Sequence, residues 1–233
     1  MKITLLHYTS APAVGGVETI LAEHSRLFAA HGHEVEVICG EGAVGSNPAV
    51  SVVLAPEMQW NHPLMLRAQR EISVDRFGEN FAALKNALVE RLGGLFEGRD
   101  VVFLHNVLTM PFQLGLTEAL WELADRPGGP RFVAWVHDLP AANPDWAYRH
   151  LLAREPWAKL ARRHPRIEYV AVSELRRAEF AALTGSDPRG CRVVPNGIDP
   201  VAQLGLTENV AALAAERALL ERDIVLIHPA RIL

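Results

Sequence analysis

Apolar residues gather along this chain in short unbroken blocks, separated by longer stretches in which they recur every three or four positions. Val101-Val102-Phe103-Leu104 and Phe132-Val133-Ala134-Trp135-Val136 contain no polar alternation. Strands of that kind are covered on both faces, as in a parallel sheet. Such blocks predict strands at 2–7, 34–39, 51–54, 100–105, 131–136, 167–172, 191–194 and 224–228. Between them, Ile20, His24, Leu27 and Phe28 share one helical face, with Gly32 as its stop. Phe77, Phe81, Leu84, Leu88 and Leu92 form the longest helical pattern, and Gly93-Gly94 predicts its end. Further helices are predicted at 112–125, 145–163, 174–184 and 205–222, whereas 55–75, with Pro56 and Pro63, shows no clear period. Alternating elements of these lengths predict an α/β fold with a doubly wound, mostly parallel, Rossmann-like sheet and right-handed crossovers.

The end of the chain bears on its organisation. Cys191-Arg192-Val193-Val194-Pro195-Asn196-Gly197 reads as a strand leaving a compact domain through a turn. The run Ile224–Ile227 calls for cover on both faces, and few residues follow it before Leu233. The expectation is a domain over 1–199, a linker and helix over 200–222, and in 223–233 the first strand of a second, truncated domain. Clefts between such halves are common sites for small ligands.

Composition narrows the function classes. With 49% apolar and 21% charged residues and a formal net charge of −4, the chain has ordinary globular values. It lacks the basic excess of a general nucleic-acid binder. Cys39 and Cys191 are too few for a disulfide framework and too scattered for zinc, so reduced thiols in a cytoplasm are expected. The apolar start Met1–Tyr8 is interrupted by His7 and is too short for a signal peptide. No stretch approaches the roughly 18 uncharged apolar residues of a membrane-spanning helix.

In open α/β folds ligands sit beyond the carboxyl ends of the strands. The residues there are Gly15-Gly16-Val17-Glu18 after the first strand, His105-Asn106 after the fourth and His137-Asp138 after the fifth. Ser173-Glu174 follow the sixth and Asn196-Gly197 the seventh. Gly15 and Gly16 open a helix where backbone N–H groups could meet a phosphate; a simple turn is the competing reading. Neither Gly-x-Gly-x-x-Gly nor a Walker A lysine is present. His137 or His105 could bond a sugar hydroxyl or serve the neighbouring loop, and Ser173 could cap the helix that follows. No His, Glu or Cys spacing suggests metal ligands. Segment 149–166 carries Arg149, Arg154, Lys159, Arg162, Arg163 and Arg166 against Glu155 alone, interleaved with Trp157 and Leu160. It reads as a solvated helix face or, second, as a peripheral contact with an anionic membrane.

Taken in order, Gly15-Gly16-Val17-Glu18, Val136-His137-Asp138, Ala171-Val172-Ser173-Glu174 and Val194-Pro195-Asn196-Gly197-Ile198-Asp199 resemble the amino-terminal domain of glycosyltransferase family 4, retaining enzymes of the GT-B fold. Leu226–Leu233 looks like the first strand of that family's donor-binding half. The resemblance implies a hexosyltransferase that uses a nucleotide-sugar as substrate, with no further cofactor and no bound metal. The amino-terminal half would take the hydroxyl acceptor, whether lipid, glycan or small molecule. It also implies that His137 contacts the transferred sugar, that Gly15 and Gly16 approach the donor diphosphate, and that Arg231 helps neutralise it. Glu18, His105, Asn106, Asp138, Ser173, Glu174 and Asn196 are the remaining candidates for acceptor or sugar contact. A cytoplasmic location, with or without contact to the inner membrane face, is expected. Residues 1–233 alone are expected to be inactive, because the lysine and the Glu-x7-Glu motif of the donor half would lie past Leu233. A sugar-nucleotide epimerase of the same fold and a non-catalytic binding module remain the alternatives.

Overall fold

The structure, a computed structural model, describes residues 1–43, 47–73, 76–197, 204–205 and 207–222. Seven strands form one parallel sheet: β1 (Lys2–Leu6), β2 (Glu34–Cys39), β3 (Val50–Leu54), β4 (Val101–His105), β5 (Arg131–Val136), β6 (Ile167–Ala171) and β7 (Cys191–Val193). Their order is β3-β2-β1-β4-β5-β6-β7, so the chain reverses its winding direction between β1 and β4.

Each strand sends alternate residues into two separate cores. Ile3, Leu5, Val35, Val37, Val101 and Val133 pack on one face with Leu21 of α1 (Gly16–Ala30). Leu6, Ile38, Val102, Leu104, Phe132 and Tyr169 pack on the other. That second face is covered by α2 (Pro63–Ile72), α3 (Glu79–Phe96), α4 (Leu114–Asp125) and α5 (Glu174–Thr184). Both cysteines are buried and free.

The chain divides after Asn196 into Met1–Asn196 and Gly197–Leu233. Within the second unit the described elements are α6 (Glu208–Glu216) and a 3-10 turn, Leu219–Glu221. The predicted strand at 224–228 lies outside the described residues, as do Ile198, Asp199 and Arg231.

Three expectations need correction. α3 does not stop at Gly93-Gly94 but runs to Phe96, and the chain turns at Gly98, whose φ is +70°. Two glycines cost a helix about 1 kcal/mol each. Burying Phe96 against Phe132, with ring centroids 5.6 Å apart, offsets that cost. Second, 145–163 is not one helix but two 3-10 stretches, Arg149–Ala153 and Trp157–Ala161. Pro156 lies between them, and a proline inside a helix removes a backbone donor and clashes with the preceding turn.

The apolar side of this segment faces inward: Trp157 and Leu160 are buried in the core and Tyr148 stacks on Trp157. Its cations are engaged on the protein itself. Arg149 donates to the Ala141 carbonyl (2.7 Å), Lys159 to Glu118 (2.5 Å), Arg163 to the Gly190 carbonyl (2.9 Å) and Arg166 to the Asp125 carbonyl (2.7 Å). Arg162 pairs with Glu155. Trp157 and Leu160 therefore serve the core and not an outward face of this segment. Third, 55–75 does hold elements, a 3-10 turn at Pro56–Met58 and then α2, which starts with Pro63 at its first position.

Gly94 lies in an exposed helix interior with open space around its missing side chain. Gly94→Ala is expected to raise the unfolding free energy by about 0.5–1 kcal/mol, read from urea denaturation. A helix ending at Gly93 would give no gain.

Candidate functional site

Where the winding reverses, the loops after β1 and β4 leave in different directions and a crevice opens between them. A cleft of about 470 Å³ lies there. It is lined from the β1 end by His7, Tyr8, Thr9, Val17 and Glu18, and from the loops after β4 and β5 by Asn106, Met110, Phe112, Gln113 and Asp138. Glu41, Met58, Gln59 and Trp60 close the remaining side.

Parallel pairing of Leu6 with Leu104 brings His7 beside His105. The His7 Nδ1 lies 2.7 Å from the His105 carbonyl oxygen. A carbonyl only accepts, so Nδ1 carries the hydrogen and the neutral ring leaves Nε2 bare, 3.8 Å from Glu18 Oε1. Glu18 is fixed by the Thr9 hydroxyl, which donates to it at 2.5 Å. Its carboxylate folds back over Gly15, where any side chain would collide with it.

One strand further along, Asn106 and Asp138 form a reciprocal pair. Asn106 Nδ2 donates to Asp138 Oδ2 and the Asp138 N–H donates to Asn106 Oδ1, both at 3.0 Å. Asn106 adopts the left-handed region, φ 54°, which asparagine tolerates better than most residues. Thr109 secures the same loop by donating to the Asp138 carbonyl at 2.8 Å.

Beneath these groups lies a stack of histidines. His105 is 0% exposed, and its Nδ1 stands 3.3 Å from His137 Nε2. His24 of α1 approaches the His105 ring at 5.2 Å and the Trp135 ring at 4.7 Å. The His105 Nε2 is buried without a hydrogen-bond partner among the described residues. An orphaned acceptor is tolerated better than an orphaned N–H, so the hydrogen belongs on His105 Nδ1. His137 Nε2 then accepts it, and the hydrogen of His137 is carried on Nδ1, which bonds nothing among the described residues.

Burial is the main cause that lowers the pKa of every member. His105 is held well below the ordinary imidazole value by burial and then by His24, His137 and His7. His137 is brought down to about 4 by burial, against the opposing pull of Asp138. His7 and His24 are lowered in the same way, with Glu18 and Glu23 pulling upward. The stack is neutral at physiological pH. Among the described residues no three His, Cys, Asp or Glu side chains are placed to hold one metal ion, and no described helix is long and apolar enough to cross a membrane.

The structure thus gathers Glu18, Asn106 and Asp138 around the cleft. His105 is a buried support beneath it, not an exposed contact residue, because the pleat turns its side chain under Trp135. His137, 8% exposed, lines no part of the cleft in this arrangement. Ser173 caps α5 by accepting from the Arg176 N–H at 3.1 Å, and Glu174 pairs with Arg177. They follow β6 and Asn196 follows β7, one and two strands past His137, and none of them lines the cleft. Gly16 opens α1 with free space about it.

Sequence reasoning missed His7, although it directly follows β1 beside His105 at the end of β4. It also missed the wall Met58-Gln59-Trp60. That wall is tied to the sheet by two amides: Gln59 Nε2 donates to the Gly40 carbonyl at 2.7 Å, and Gln113 Nε2 donates to the Met58 carbonyl.

A parallel sheet wound in this order, with its cleft at the switch point, defines the Rossmann-like class whose carboxyl edge binds small molecules. The sequence profile described as Glycosyltransferase Family 4 matches residues 14–201, and the chain belongs to that family. Among solved structures it is similar to WaaG, a glycosyltransferase involved in lipopolysaccharide biosynthesis. The identity is 15% and the TM-score 0.50, over 93% of this chain and 51% of that one. It is also similar to the trehalose-6-phosphate phosphatase N-terminal domain of Candida albicans, at 12% identity and TM-score 0.54, over 95% and 54% of the two chains. At such identities the likeness is one of fold. The chain spans about half the length of these structures. No curated protein sequence matches it significantly.

Two outcomes are expected. Each histidine of the stack has a depressed folded-state pKa, so below the unfolded value near 6.5 the unfolded chain binds protons that the folded chain does not. Stability is full above about pH 6.5 and falls as the pH drops from there toward about 4. The urea midpoint should be lower at pH 5 than at pH 7.5, and an unchanged midpoint would mean the stack is not buried. At Gly40 a Cβ would stand 3.0 Å from backbone atoms of Met58 and Gln59. Gly40→Ala should cost about 1–3 kcal/mol by forcing that wall outward, measured by the same denaturation.

Proposed function

We propose that this chain is the acceptor-side half of a retaining glycosyltransferase that moves a hexose from a nucleotide-sugar to a hydroxyl group. The observation that carries the reading is the switch-point cleft, with Glu18, Asn106 and Asp138 converging on it in a chain of Glycosyltransferase Family 4. The acceptor lies in the cleft, with its hydroxyl turned toward the carboxyl ends of β1 and β4. The transferred sugar lies past it, over β5. There the unbonded Nδ1–H of a neutral His137 donates to a sugar oxygen. Neutrality suits this role: the ring supplies a fixed donor without placing a full charge against the sugar. Backbone N–H groups at the start of α1, opened by Gly15 and Gly16, face the diphosphate. In the transfer the acceptor oxygen bonds to the anomeric carbon, the bond from that carbon to the diphosphate breaks, and the hydroxyl proton leaves with the nucleoside diphosphate.

The test is a transfer assay on the protein as its gene encodes it, using labelled nucleotide-sugars and following both nucleoside diphosphate release and a glycosylated product. His137→Ala is expected to lower kcat by on the order of 100-fold, the scale for one positioned polar group. His137→Gln, which keeps an N–H donor, should recover part of the loss. Thermal melts of both variants separate lost chemistry from lost folding. Full turnover by His137→Ala would remove the histidine from the site. Nucleotide-sugar consumed with no acceptor product would favour an epimerase instead.

A further inference from the structure

The polar groups of the cleft are unevenly spent. Its side-chain donors are committed, in part, to bonds within the protein. Asn106 Nδ2 goes to Asp138, Gln59 Nε2 to the Gly40 carbonyl, and Gln113 Nε2 to the Met58 carbonyl. The Thr9 hydroxyl goes to Glu18, the Tyr8 hydroxyl to the Val107 carbonyl at 3.3 Å, and His7 Nδ1–H to the His105 carbonyl. The indole of Trp60 and the second N–H of each amide remain as side-chain donors, and the lining holds no cationic one.

The acceptors are left over. Gln113 is 3% exposed, and its Oε1 is buried without a partner among the described residues. An unmet buried acceptor costs about 1–3 kcal/mol, which a ligand hydrogen would relieve. Glu18, Glu41 and Asp138 bring three carboxylates to the lining, which contains no lysine or arginine. None of the three has a lysine or arginine partner among the described residues; Glu18 meets the Thr9 hydroxyl and the neutral His7. This is notable in a chain with 23 Lys and Arg, many of them paired with carboxylates elsewhere, as at Glu118, Glu122 and Glu168. Beside these acceptors stand two open aromatic rings, Trp60 at 68% and Phe112 at 60% exposure.

From this lining, which carries carboxylates and aromatic rings but no cation, we propose that the cleft selects an acceptor bearing a protonated amine on a ring with an apolar face, in the class of amino sugars and aminocyclitols. The proposal rests on the reading of this cleft as the acceptor site. An ammonium group offers three donors and no acceptor, the complement of Gln113 Oε1 and the carboxylates. Its ring lies against Trp60 or Phe112, which attract a cation to their faces. A phosphate or carboxylate on the acceptor would meet like charge and find no lysine or arginine on the lining. The amide ties to Gly40 and Met58 hold the wall in place before the ligand arrives, which lowers the ordering cost of binding.

The experiment compares three probes that share a hydroxylated cyclohexane ring: trans-4-aminocyclohexanol, 1,4-cyclohexanediol and 4-hydroxycyclohexanecarboxylate. Their binding to the protein is measured by calorimetry and ligand-observed NMR at pH 7.5. The amine is expected to bind about 5- to 10-fold more tightly than the diol, the carboxylate most weakly, given the modest strength of exposed ion pairs and cation–π contacts. Glu41→Gln should shrink the advantage of the amine over the diol. Trp60→Ala, at an exposed position that leaves the fold intact by its melting temperature, should weaken amine and diol together. Equal binding of all three probes, tighter binding of the carboxylate, or no binding of any of them overturns the proposal. Because binding is read without a nucleotide-sugar, failure of the transfer reaction leaves this result standing. Transfer to anionic acceptors would sink the inference and spare the transferase reading.

Discussion

The reversal of winding between β1 and β4 is the constraint on which the rest of this molecule depends. After β1 the chain builds β2 and β3 on one side and then returns to lay β4 against the opposite edge of β1. Right-handed crossovers in the two directions put their helices on opposite faces, so α1 covers one core while α3, α4 and α5 cover the other. The loops leaving β1 and β4 cannot run over each other, and the crevice between them follows from topology alone. Side chains decide what that crevice recognises.

Closing seven strand ends so tightly also buries polar groups that would otherwise be solvated. The structure meets this in two ways. Amides and hydroxyls are bonded to neighbouring carbonyls and carboxylates, as in the Asn106–Asp138 pair and the Thr9–Glu18 contact. Imidazoles are held neutral by their own desolvation, from His7 through His105 to His137. Neutrality then propagates as a choice of tautomer. One bond to a carbonyl fixes His7, and one orphaned nitrogen fixes His105 and, through it, His137.

What was legible in the sequence follows from which forces are local. All seven strands described were readable, because a strand covered on both faces is a continuous apolar block whatever its neighbours are. The end of α3 was not, because Gly93-Gly94 signals a local cost whereas Phe96 gains its burial from Phe132, distant in sequence. The segment 145–163 misled because its periodic Trp and Leu positions serve the core from 3-10 turns on either side of Pro156. At the candidate site, counting residues past each strand picked out Glu18, Asn106 and Asp138, which line the cleft. It could not tell that the pleat buries His105, or that Ser173 and Glu174 spend themselves on α5. The wall Met58-Gln59-Trp60 came from the stretch without a period. Its place is set by Gln113, more than fifty residues away, and no local signal carries such a contact.

The same bonds that stiffen the cleft also determine its chemical character. A side-chain amide has two N–H donors and an acceptor, and a wall that holds itself together through an N–H can leave the oxygen over. Gln113 does this at the Met58 carbonyl, Asn106 spends one N–H on Asp138, and Thr9 spends its hydroxyl hydrogen on Glu18. Rigidity and polarity are therefore one property here: loosening a tie would free a donor and change both. It also separates charges in space. The cleft is left electron-rich, and the backbone N–H groups at the start of α1 remain the natural place for a negative ligand group. A transfer reaction that joins a hydroxyl to a sugar leaving a diphosphate needs these two environments side by side but distinct. In this fold the distinction arises from which loops the reversal at β1 and β4 pushes apart.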